Sequence, residues 1–179
     1  MTFEALQTTL NITFTDQNLL KQAFIHRSYL NEARSIKESN ERLEFLGDAI
    51  LSFLTSQFLY LTYPEYPEGK LTNIRSSLVN TKSLGAASAA LSLGDLLFLS
   101  KGEQESGGRT NQSLLADCFE SLLGAIYLDQ GIETAKKFLE SYQYSSYLDY
   151  IGKDRVEKRM INPENFPLYF KNTQSFRDF

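Results

Sequence analysis

Glu44 and Asp48 stand four residues apart, and Asp117 and Glu120 three apart, in two segments that otherwise read as helix core. On an α-helix those spacings put both members of a pair on one face, with Glu41 beside the first pair. Gly47, Ser121 and Gly124 lie on or near the same faces. Small residues let two backbones approach closely, so four carboxylates from two helices could converge on one point. Hard oxygen ligands without Cys or His suit Mg²⁺, with Mn²⁺ as a substitute, rather than zinc. Carboxylates buried without partners are too costly to keep ionised, so something cationic must meet this face. Ion pairs with Arg42 and Arg75 are the simpler alternative. A di-iron bundle is a third, but it needs Glu-x-x-His pairs, and the only histidine, His26, is not in one.

The elements that would position these acids are helices. Apolar spacing is helical almost throughout, and no alternating strand pattern persists. Leu6, Leu10 and Ile12 mark a short first helix, and Asp16 caps a second through Leu19, Leu20, Ala23 and Phe24. Asn40 is expected to cap a long helix from Glu41 to about Leu61. Leu43, Phe45, Leu46, Ala49, Ile50, Phe53, Leu54 and Phe58 occupy most of its circumference, which predicts burial nearly all round. Further helices are expected from Glu68 to Val79, Thr81 to Leu93, Ser113 to Leu128 and Glu133 to about Tyr144. Lys101 to Gln112 reads as a polar, glycine-containing loop. The fold class is therefore all-α.

Composition narrows the setting. The 179 residues suggest one domain, and 13 Phe within 42% hydrophobic residues supply a core. A net charge of −4 is not the usual footprint of a nucleic-acid binder, so phosphate contact requires local basic patches or bound divalent cations. The single Cys118 cannot form an internal disulfide and fits a reducing cytoplasm, as a small core residue. The N-terminus lacks a signal-peptide layout, and no apolar run reaches the roughly 18–20 residues that span a bilayer, so no membrane role is expected.

Several colinear motifs resemble the catalytic domain of bacterial ribonuclease III. They are Glu41-Arg42-Leu43-Glu44-Phe45-Leu46-Gly47-Asp48-Ala49, His26-Arg27-Ser28-Tyr29, Glu68-Gly69-Lys70-Leu71-Thr72 and Arg75-Ser76-Ser77-Leu78-Val79-Asn80, with Lys101-Gly102-Glu103, Ser106-Gly107-Gly108-Arg109 and Leu115-Ala116-Asp117 to Asp129. The resemblance covers roughly residues 3–145, and it implies the helical fold of that domain and Mg²⁺-dependent cleavage of double-stranded RNA. It makes Glu44, Asp48, Asp117 and Glu120 metal ligands and sets Glu41 and Glu68 at the edge of the cluster, holding water or substrate, with Asp48, Glu120, Glu41 and Glu68 serving catalysis. All six positions keep a carboxylate, which counts against the alternative of a catalytically silent RNA-binding or ribosome-associated relative.

The same resemblance makes Phe45 an aromatic inserted into a second subunit, giving a homodimer whose two sites cut both strands of a duplex. Its products would carry 5′-phosphate and 3′-hydroxyl ends, as in ribosomal RNA precursor processing. No organic cofactor is expected. Arg75, Lys82, Lys101 and Arg109 are candidate RNA contacts, Arg75 and Lys82 equally ion-pair partners for acids, while His26 reads as structural. The family normally continues into a double-stranded-RNA-binding domain, and residues 146–179 are too few for one, so they form a tail or linker after a catalytic domain at 1–145. Weak, salt-sensitive RNA binding follows from that arrangement.

Overall fold

Two helices that cross almost backbone to backbone organise the protein. The structure, a computed structural model, describes residues 1–140. The domain boundary expected at 145 and the segment 146–179 lie outside them. The chain runs through α1 (Phe3–Leu10), α2 (Gln17–Gln22), α3 (Glu41–Thr62), α4 (Glu68–Leu78), α5 (Thr81–Ala90), α6 (Lys101–Glu105), α7 (Gln112–Gln130) and α8 (132–140), with short 3₁₀ turns between. Among the described residues there is no strand, only an isolated bridge pairing Ile25 with Phe98. The expected all-α class holds.

α3 and α7 pack along each other, and glycine makes this possible. A Cβ on Gly47 would overlap the carbonyl oxygen of Glu120, and one on Gly124 would overlap that of Leu43. α5 covers another side of α7, where the Ser88 hydroxyl donates to the Leu115 carbonyl. The main core draws Leu6, Phe24, Leu51, Leu54, Phe119, Leu122, Leu123 and Ile126 into one cluster, and Leu59, Tyr63 and Leu78 form a smaller one between α3 and α4. Cys118 is fully buried in the core, and burial pushes its thiol far above the usual range. It is inert packing, as expected.

Several helix starts follow local chemistry, whereas α3 and α4 begin without a side-chain cap. Asp16 accepts from the amides of Asn18 and Leu19, Asn80 from Ser83, and Asn111 from Ser113 and Leu114. Asn40 does not cap α3. It is 3% exposed, its amide group donates to the Ala23 carbonyl, and the Ser39 hydroxyl instead faces the Glu41 N–H at 3.4 Å. The expected loop at Lys101–Gln112 is also more ordered than its composition suggests. Ser100 caps α6, and a 3₁₀ turn follows at Gly108–Thr110.

α3 departs from the expectation of burial all round. Phe45 is 80% exposed, with Phe53 and Tyr60 also exposed. At 100° per residue these three share one face, while Leu43, Ile50, Leu51 and Leu54 meet the core. The helix is also long and apolar enough, by length and composition alone, to cross a membrane, contrary to the sequence expectation. Core helices pass the same test, and α3 packs against α7 through Gly47 and carries Glu41, Arg42, Glu44 and Asp48 in its first turns.

Candidate metal centre

The close crossing of α3 and α7 gathers the acids. One carboxylate oxygen from each of Glu44, Asp117 and Glu120 lies within 4.8 Å of the others, and all three side chains are half-buried. Asp48 is exposed and stands outside that trio, one turn along α3 from Glu44, but its charge is the largest electrostatic influence on Glu120. The four predicted ligands are thus neighbours, three of them tightly.

Their electrostatics are those of a site short of positive charge. Burial, followed by the charges of Asp48, Glu44 and Asp117, pushes the Glu120 carboxyl up to about 7. Glu44 is raised by burial and then by Asp117, Glu41 and Asp48. Asp117 is raised by burial, with His26 pulling the other way. Among the described residues no lysine or arginine pairs with Glu44, Asp48, Asp117 or Glu120. Arg42 reaches Glu38 instead, at 3.9 Å, and Arg75 donates to the Ser56 hydroxyl. The ion-pair alternative therefore has no partner within the described chain. A small divalent cation with all-oxygen coordination fits this donor set.

The other predicted residues are placed less uniformly. Glu41 stands at the edge of the cluster, accepting from the Ser39 hydroxyl at 2.8 Å and pairing with Arg27 at 3.4 Å. Glu68 does not join the acids of its own chain. It opens α4, accepts from Thr72, and lines a groove of about 450 Å³ with Phe53, Ser56, Tyr60 and Arg75. That groove begins nine residues beyond Glu44, on the order of 13 Å along the helix. Lys82 and Lys101 are exposed. Arg109 is committed elsewhere, donating to the carbonyls of Gly94 and Asp95 and to Gln104, which pins the segment before α7.

Sequence reasoning missed the backing of the site. The Ala23 carbonyl accepts from the Ser121 hydroxyl on α7, at 2.6 Å, and from Asn40 at the start of α3. One backbone oxygen thereby ties together the two acidic turns. Nothing in helical periodicity signals a contact between residues 98 positions apart; two buried polar residues in otherwise apolar surroundings are the only hint.

Comparison with known proteins agrees with the helical fold. The family model described as Ribonuclease-III-like matches residues 16–146. The chain is 54% identical over 136 residues to Ribonuclease 3 of Enterococcus faecalis, covering 75% of this chain and 59% of that protein. It is 49% identical over 143 residues to Ribonuclease 3 of Geobacillus kaustophilus, covering 79% and 58%. It thus spans a little under three fifths of the length of these relatives. The solved nuclease domain of ribonuclease III from Campylobacter jejuni superposes with a TM-score of 0.76 at 36% identity, over 82% of this chain and 99% of that one. With the helical frame and the sequence in agreement, this chain belongs to the ribonuclease-III-like family.

Proposed function

We propose that this chain is a metal-dependent endoribonuclease that hydrolyses phosphodiester bonds of double-stranded RNA. The observation that carries the reading is the convergence of Glu44, Asp117 and Glu120, unpaired by any cation of the described chain, in a member of this family. It also argues against a silent relative, which has no need to keep half-buried acids crowded together. A divalent ion held there supplies the positive charge that activates water and stabilises the phosphoryl oxygens during in-line displacement. Mg²⁺ is the proposed physiological ion, with Mn²⁺ able to substitute.

In this reading Glu44, Asp117 and Glu120 hold the ion and Asp48 completes the donor set. Glu41, oriented by Ser39 and Arg27, stands where it can accept a hydrogen bond from water or substrate. Lys82 and Lys101 offer exposed charge to RNA phosphates, whereas Arg109 acts through structure. The proposed products carry 5′-phosphate and 3′-hydroxyl ends, and structured RNA precursors are the proposed substrates. The active form is a homodimer built on the exposed face of α3, with Phe45 of each copy seated on the other. The Campylobacter jejuni nuclease domain is itself described as having a region involved in dimer formation.

Cleavage of a long RNA duplex in Mg²⁺ tests the assignment. The parent should cut it, and Glu120→Gln and Asp48→Asn should each lower the rate by about a hundredfold or more. Equal cleavage by all three would remove the assigned site; no cleavage by the parent would favour a silent relative.

A further inference from the structure

We propose that Arg27 is an RNA contact of the acidic centre, its guanidinium leaving Glu41 to bind a backbone phosphate beside the scissile one. The inference rests on the double-stranded-RNA reading above and adds a residue that neither motif spacing nor net charge marks out.

Backbone hydrogen bonds set Arg27 beside the first turn of α3. The Ile25 carbonyl accepts from the Asn40 N–H at 2.8 Å, and the Ala23 carbonyl from the Asn40 side chain at 3.4 Å. The His26 N–H donates to the Phe98 carbonyl at 3.1 Å, which fixes the segment from its other edge. Arg27 then opens the 3₁₀ turn Arg27–Asn31, capped by the His26 ring accepting from the Ser28 N–H. From there its guanidinium reaches Glu41 at 3.4 Å. Glu41 and Glu44 are three residues apart on α3, with Cβ atoms about 5–6 Å from each other. A cation therefore stands at the rim of the Glu44, Asp117 and Glu120 cluster.

The pair opens at little cost. The Arg27 and Glu41 side chains are 72% and 53% exposed, and an ion pair that wet contributes little to stability. Glu41 does not depend on it, because the Ser39 hydroxyl holds its other oxygen at 2.8 Å. A phosphate offers the guanidinium two oxygens in the fork geometry that it matches best. The need for such a contact is electrostatic. A chain of net charge −4 that presents carboxylates to a polyanion requires a cation beside them.

Duplex RNA binding across a range of KCl concentrations in Mg²⁺ reads this contact, with Glu120→Gln as the parent so that the strand stays uncut. Arg27→Gln in that parent should weaken binding about threefold to tenfold and lower the slope of log affinity against log salt by about 1. Arg27→Lys, which keeps the charge, should retain the parent's slope. Both variants should melt within about 3 °C of the parent, since the pair is exposed. Repeating Arg27→Gln in a Glu41→Gln background separates a direct contact from an effect passed through Glu41. The slope should fall there by the same amount. An unchanged slope, or a change that vanishes in the Glu41→Gln background, overturns the proposal. If neither the unaltered chain nor the Glu120→Gln parent binds the duplex, the double-stranded-RNA reading falls as well; a parent that binds while Arg27→Gln matches it removes only the role of Arg27.

Discussion

Glu120 holds its proton up to about pH 7 because burial and three neighbouring carboxylates disfavour its charge. Its folded value lies above the ordinary 4.5, so its contribution to metal-free stability is full below about 4.5 and is lost as the pH rises through 7. Partial exposure reduces the cost to on the order of 1–2 kcal/mol at pH 8. Glu120→Gln should therefore melt about 2–6 °C above the metal-free parent at pH 8, with the gap shrinking toward pH 4. Identical melting curves at pH 8 would mean that the acids do not repel one another as the geometry implies. Because the ion competes with that proton, Mn²⁺ affinity should also fall below pH 7, by up to about tenfold per unit. At this scale the four acids were legible, since their i, i+3 and i, i+4 spacings are local facts of helix geometry. Asn40 and Ser121 were not, because they reach the site through contacts between segments far apart in the chain.

The acids converge only because α3 and α7 touch at glycine. Gly124→Ala would drive a methyl group into the Leu43 carbonyl, and neither helix backbone can yield without separating the carboxylates. A loss of about 3 kcal/mol or more in urea unfolding is expected, with weakened Mn²⁺ binding in whatever remains folded. Gly102→Ala is the control: a Cβ there meets nothing within 4 Å, and α6 should tolerate it. If Gly124→Ala were as harmless as Gly102→Ala, the helix crossing would not be what sets the site. Most helices were legible from apolar spacing. The 101–112 segment was misread as a loop because its order comes from the Ser100 cap and from Arg109 bonds to carbonyls 14 and 15 residues away. Composition alone does not register such bonds.

For the molecule as a whole, the outer face of α3 is the least finished surface. Phe45, Phe53 and Tyr60 stand exposed in line, beside the groove that Phe53, Tyr60 and Glu68 help to line. An aromatic 80% exposed contributes little to the fold of a single chain, but a great deal to a two-fold contact that buries it. Phe45→Ala should leave the melting temperature of the dilute protein nearly unchanged while shifting sedimentation from dimer to monomer. A variant that remains dimeric would move the proposed interface elsewhere. The sequence pattern misled at this scale for a physical reason: the exposed aromatics of α3 are as apolar as residues facing a core, and periodicity does not distinguish them.

Diffraction at the Mn absorption edge from crystals grown with Mn²⁺ tests the central claim most directly. An anomalous peak is expected between α3 and α7, at roughly 2.1 Å from oxygens of Glu44, Asp117 and Glu120. Saturating Mn²⁺ with no peak at those three carboxylates would contradict the account.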